Sequence, residues 1–134
     1  MVADASVAVA AFASWHEGHA AATRALVPTA GIVAHAAIES YSVLTRLPPP
    51  HRAGGQVVAE FLRRRFGRRW VGLSVQEQRN ALETFPSLGI RGGATYDALI
   101  GATAARAGAT LVSLDERALA VYAAVGADVD LLSG

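Results

Sequence analysis

The chain has no cysteine, which excludes disulfides, thiolate catalysis and cysteine-ligated zinc. It has no lysine either, because all 12 basic residues are arginine. That absence removes the chemistries that need an amine: phosphate-loop nucleotide hydrolysis, Schiff-base formation and phosphoryl-acceptor receiver domains. The apolar stretch from Ala3 to Trp15 lacks the positive head of a secretory signal, since the first arginine is Arg24 and an aspartate stands at position 4. No uninterrupted apolar run approaches the roughly 18 residues of a membrane helix. The expectation is a cytoplasmic protein with no membrane partner. What the chain does contain is apolar mass: 52% of its 134 residues are hydrophobic and 17% charged. That composition excludes disorder and fits one domain over residues 1–134, with about two-thirds of its extended surface buried. A formal charge of +1 names no partner.

Short apolar runs alternate with longer helical segments, the pattern of a parallel sheet with crossover helices. Strands are expected at Met1–Ala3, Ile32–Ala34, Trp70–Leu73 and Thr110–Leu114, with a further edge strand over Asp128–Leu132. Helices are expected from Ser6, over His16–Leu26, Ala36–Leu47 and Arg52–Arg65, and again over Thr95–Ala107 and Glu116–Val125. Ser74-Val-Gln-Glu77 has the form of a capping box opening a helix to Phe85. Pro86–Gly93 reads as a loop, and Gly108 as a C-terminal cap.

Four acids stand out by position. Asp4 and Asp115 each follow a predicted strand, where open parallel sheets collect ligands. Glu39 lies in the helix after the second strand. Asp97 opens the helix before the last strand, on a face with Ile100, Gly101 and Ala104 that is expected to pack on the sheet. None has an arginine three or four residues away. Half-buried carboxylates are costly unless hydrogen-bonded, paired or bound to a cation. Each has an ordinary explanation: Asp115 and Asp4 as helix N-caps, Asp97 as a first-turn aspartate favoured by the helix dipole. Glu39 has the weakest such account. The repeated strand-end placement points to a divalent metal and phosphodiester hydrolysis.

The order of motifs resembles a known family. Val2-Ala-Asp4-Ala-Ser6 and Ala36 to Leu44, of the form A-x-x-E-x-x-x-V-L, are followed by Tyr96-Asp-Ala-Leu-Ile-Gly-Ala-Thr-Ala104 and by Leu111-Val-Ser-Leu-Asp-Glu-Arg-Ala118. Together, across nearly the whole chain, these look like a PIN-domain ribonuclease of the small form found as the toxin of VapBC toxin–antitoxin pairs. The resemblance implies a three-layer α/β/α fold with a short central parallel sheet. It implies an endoribonuclease using Mg²⁺, with Mn²⁺ as a substitute, whose metal site is Asp4, Glu39, Asp97 and Asp115. It also implies an RNA substrate, a small antitoxin protein as partner, and a homodimer. Ser113 stands where many relatives carry threonine, and Ser6 and Ser113 are expected to support the carboxylates. Asp4 and Asp97 are the expected direct metal contacts.

Arg63-Arg-Arg-Phe-Gly-Arg-Arg69 is the dense basic run. Through Arg64 and Arg68 it could grip RNA phosphates; equally, it suits a solvated helix C-terminus. Phe66 and Trp70 read as core. His16-Glu-Gly-His19 falls one residue short of a zinc-protease pattern and reads as a solvent-facing helix start. His35, four residues before Glu39, reads as a buried structural histidine. Two rival functions remain. One is a catalytically inactive PIN-like protein-interaction module. The other is an aspartyl-nucleophile phosphatase, which the missing second aspartate after Asp4 and the missing lysine disfavour.

Overall fold

The computed structural model describes residues 1–134. Five short strands form one parallel sheet: β1 Val2–Ala3, β2 Gly31–Val33, β3 Trp70–Val71, β4 Leu111–Ser113 and β5 Val129–Leu131, in spatial order β3-β2-β1-β4-β5. Seven α-helices connect them: α1 Ala5–Phe12, α2 His19–Ala25, α3 Ala34–Thr45, α4 Gly55–Phe66, α5 Val75–Thr84, α6 Ala94–Ala107 and α7 Leu119–Ala124. The expected α/β class, a short parallel sheet with crossover helices, is the one observed. No helix is long and apolar enough to cross a membrane.

Strand order dictates the layers. Crossovers between parallel strands are right-handed. The path β1→β2→β3 advances one way and lays α1 to α4 on one face. The path β3→β4→β5 runs the other way and lays α5 to α7 on the opposite face. The packing agrees: α1 touches α2 and α3, α3 touches α4, and α6 touches α5 and α7. The direction reverses between the neighbours β1 and β4, so the crevice beyond their carboxyl ends is the topological switch point.

The core fills both sides of the central strands. Ala3, Ile32, Val33, Leu111 and Val112 are buried, and Val7, Leu44, Val58, Phe66, Ile100 and Tyr122 close over them. Alanines at positions 8, 10, 36, 37, 98 and 104 are buried as well; their small side chains let the helix axes approach. Gly101 extends this close approach. A Cβ there would stand 2.7 Å from Val125 Cγ2 and 3.0 Å from Tyr122 Cδ1.

Several local expectations shift. α1 starts at Ala5 rather than Ser6, and Asp4 caps it, its carboxylate accepting the Val7 N–H at 3.1 Å. The second helix starts at His19 rather than His16, since Ala13–Gly18 forms a loop closed by Gly18 N–H donating to His16 Nδ1 at 2.9 Å. A 3₁₀ turn, Glu116–Ala118, precedes α7, and another, Pro86–Leu88, lies in the expected loop. Trp70 is 42% exposed because β3 is a sheet edge, whereas Phe66 is core as expected. The Ser74 capping box forms with both of its hydrogen bonds, at 3.1 and 2.8 Å. Gly108 ends α6 at φ 65°.

Replacing Gly101 by valine forces α6 away from α7. The expected cost is about 1–3 kcal/mol, typical of overpacking a filled contact, read as a lower urea midpoint. A variant as stable as wild type would show that α7 is free to move.

Candidate active site

Each acid reaches the switch point by a different route. β1 ends at Ala3, and extended backbone at Asp4 (φ −88°, ψ −178°) turns its side chain back over the start of α1. Asp4 is 1% exposed, so its charge survives only with partners. It has three. Oδ1 accepts from the Ser6 hydroxyl at 2.6 Å and the Val7 N–H at 3.1 Å, and Oδ2 accepts from the Tyr122 hydroxyl at 2.8 Å. Asp115 follows β4 and caps the 3₁₀ turn by accepting the Arg117 N–H at 3.0 Å. Asp97 lies in the first turn of α6, and Glu39 lies further into α3.

Ser6 and Ser113 knit these routes together. Ser6 Oγ accepts the Leu114 N–H at 2.8 Å while donating to Asp4. Ser113 Oγ lies 3.5 Å from Ser6 Oγ and accepts the Asp115 N–H at 3.0 Å. The carboxyl ends of β1 and β4 are thereby fixed by side chains beyond the last ladder bond.

Asp4, Glu39, Asp97 and Asp115 line one cleft of about 750 Å³. Asp97 does not press on the sheet as expected; it is half-buried and faces the cleft, while Gly101 on the same helix meets α7. The acids feel one another. Burial raises the pKa of Asp97, and the Asp115 and Asp4 charges raise it further, with Arg117 opposing. Burial likewise raises Glu39 against His35, with Asp97 and Asp4 adding to the rise. Burial holds Asp4 above the usual carboxylate range despite its donors. Tyr122 is pushed far upward by burial and by Asp4, so it remains a hydrogen-bond donor at every working pH.

The donors facing the cleft are hard oxygens, the ligand type of Mg²⁺ and Mn²⁺. No three His, Asp or Glu side chains converge into a cage of their own. Mg²⁺ characteristically keeps several waters and takes only one or two direct carboxylates, so it does not require such a cage.

Two residues at the cleft escaped the sequence reading. Tyr122 belongs to no motif, although a buried tyrosine in an alanine-rich helix needs a partner for its hydroxyl. Arg117 sits two residues from Asp115, a spacing that helical pairing rules overlook; its Nε is 3.6 Å from Asp115 Oδ1 and its side chain is 93% exposed. His16, expected to face solvent at a helix start, lines the cleft from the loop. His35 is only half-buried and stacks on Tyr96, with centroids 5.3 Å apart and planes 3° from parallel.

Arg64 and Arg68 are not brought to the cleft. Arg65 donates to the carbonyls of Leu26 and Val27, and Arg69 to that of Ala30. Those carbonyls precede β2, so the run sits at the amino edge of the sheet, opposite the carboxylates. Arg63 and Arg64 pair with Glu60.

The raised carboxyls give metal-free stability an unusual pH dependence. An acid with a raised folded-state pKa binds its proton more tightly folded than unfolded. Its ionisation therefore weakens the fold as pH rises through the folded value. Lowering the pH from neutrality towards about 5, above the ordinary carboxylate range, should raise the Tm in chelator. Exposed Glu77, the one carboxyl shifted down, opposes this only weakly. A Tm that falls steadily over that interval would contradict the assignment of Asp4, Glu39 and Asp97 as strained.

Comparison with known proteins agrees with the fold. The profile of the family described as PIN domain matches residues 1–124. Ribonuclease VapC40 of Mycobacterium tuberculosis is 45% identical over 130 residues, covering 97% of each chain. Ribonuclease VapC27 of the same organism is 35% identical over 130 residues, covering 96% of this chain and 94% of the relative. A crystal structure of Mycobacterium tuberculosis VapC20, a Sarcin-Ricin loop cleaving toxin, superposes with a TM-score of 0.70 at 19% identity, covering 93% of this chain and 94% of that one. With its parallel sheet and its switch-point cleft, this chain belongs to the PIN domain family.

Proposed function

We propose that this chain is a divalent-metal-dependent endoribonuclease that hydrolyses RNA phosphodiester bonds, and that it is the toxin of a toxin–antitoxin pair. The observation that carries the reading is one cleft lined by four mutually repelling carboxylates. Its supports are the family and two relatives named as ribonucleases. Asp4 and Asp97 would hold Mg²⁺ or Mn²⁺ directly, with Glu39 and Asp115 binding a second ion or metal-bound waters. The bound ion would supply an activated water and charge stabilisation at the phosphorus.

The chain's own residues do the rest. Ser6, the Val7 N–H and Tyr122 hold both oxygens of Asp4 and keep its charge fixed in position. Ser113 braces the Asp115 backbone. Arg117 is the arginine lining the cleft, and its main chain is tethered to Asp115 while its guanidinium stays in solvent. It is placed to meet a substrate phosphate once Asp115 has another partner.

An apolar strip supports a protein partner. None of the residues of α5 is buried, and Val75 and Leu82 are 75% and 62% exposed beside Tyr96. This strip suits the proposed homodimer and small antitoxin. It also favours the second reading, an inactive interaction module, which a cleavage assay separates from the first.

Wild type should cleave RNA with Mg²⁺ or Mn²⁺ and stop in EDTA. Asp97→Asn should abolish cleavage while the metal-free protein melts no lower than wild type. Mg²⁺ at tenfold its dissociation constant should stabilise wild type by about 1.4 kcal/mol and the variant by clearly less. Cleavage that survives chelator, with Asp4→Asn as the control for contaminating nuclease, would sink the proposal.

Arg117→Gln should raise KM for RNA and flatten the salt dependence of binding by about one unit. The pair Arg64→Gln and Arg68→Gln should change neither. The reverse pattern would place the RNA on the amino edge of the sheet.

A further inference from the structure

The loop Ala13–Gly18 carries an aromatic side chain that the core does not use. Trp15 is 48% exposed, and its ring stacks on His51 with centroids 4.1 Å apart and planes 29° from parallel. His51 comes from the separate turn after α3. The Trp15 ring also lies 5.9 Å from His16, tilted by 42° and not stacked on it. His16 in turn lines the carboxylate cleft, as does Val43 of α3. Trp15 and His51 do not line the cleft themselves; His16, which does, adjoins the Trp15 ring and links the two.

The loop that presents this stack is built to hold still. His16 N–H donates to the Ala13 carbonyl at 2.9 Å, and His19 N–H to the His16 carbonyl at 3.0 Å. Gly18 packs closely where the loop crosses the end of β4: a Cβ there would stand 2.8 Å from Leu114 Cδ1, at the tip of that side chain. His16 Nδ1 is occupied by the Gly18 N–H, which leaves Nε2 as the donor of the neutral ring. A half-exposed tryptophan on a loop pinned beside the cleft is a preformed flat apolar surface with a hydrogen-bond donor next to it. Stacking on such a surface is open to any base, since every base has a π-face.

We propose that Trp15, backed by His51, is a stacking platform for an unpaired nucleobase of the RNA strand lying in the cleft, with His16 between the platform and the carboxylates. This rests on the ribonuclease reading and names a subsite for its substrate. The chemistry selects a single-stranded segment, because a paired base has no free face to offer. A flat ring surface reads base stacking rather than base identity, so the platform positions the strand without fixing its sequence.

The chain has two tryptophans, so Trp70→Phe leaves Trp15 as the sole indole reporter. In the Asp97→Asn background, which blocks cleavage under the reading above, oligoadenylate should quench Trp15 fluorescence saturably. The same ribose-phosphate chain without bases should bind more weakly and leave the fluorescence unchanged. Trp15→Ala should lose roughly fivefold or more in affinity for oligoadenylate by anisotropy, and Trp15→Phe should recover most of it. Failure of oligoadenylate to bind or to quench, equal quenching by the abasic chain, or unchanged affinity of Trp15→Ala overturns the platform. Cleavage by the otherwise unaltered wild type is scored separately. Active enzyme without quenching defeats the platform alone; quenching by an enzyme that cuts nothing defeats the ribonuclease reading alone.

Discussion

The carboxylate of Asp4 is the point on which the architecture turns. It is buried to 1% exposure and would be unaffordable without its three donors. Those donors come from α1 and from α7, which lie on opposite faces of the sheet. Satisfying one charge therefore ties both helical layers to the end of β1. The same residue starts α1, so capping and site construction are one act rather than competing explanations. Tyr122 shows the reciprocal dependence. Its hydroxyl needs an acceptor in the core, and Asp4 is that acceptor.

Around this node, small residues and repulsive charges work against each other. Buried alanines and Gly101 let the helices close in, which holds the acids within electrostatic reach. Packing and electrostatics thus disagree inside the cleft, and the divalent ion proposed above would reconcile them. Functional sites are commonly held at such a local cost to stability. The arginines lie mostly elsewhere: several cap carbonyls at the amino edge or pair with acidic residues on helical surfaces.

Much of this was legible in the sequence, for identifiable reasons. Strand-end acids were visible because the placement repeats at Asp4 and Asp115, although each also serves as a helix cap, and the Ser74 capping box spells out both of its hydrogen bonds. The Arg63–Arg69 run left two readings open because charge density in a sequence carries no direction. Nothing in those residues says that β2 begins beside them and that its preceding carbonyls will claim Arg65 and Arg69. Tyr122 and Arg117 were invisible for a related reason, since their roles depend on contacts across the fold or on a spacing outside helical periodicity. The loop at Ala13–Gly18 escaped because no proline marks it, while what closes it are the hydrogen bonds of His16 to Ala13 and of Gly18 to the His16 ring.

The hydrogen bonds that complete the cleft join partners 108 and 118 residues apart, Ser6 with Leu114 and Asp4 with Tyr122. During synthesis Asp4 is made 118 residues before its last donor, Tyr122. Closure over so long a separation comes late in folding. A partly made polypeptide on the ribosome therefore carries the acids without the cleft. The cleft becomes whole only when the segment that supplies Leu114 and Tyr122 has folded against the end of the first strand.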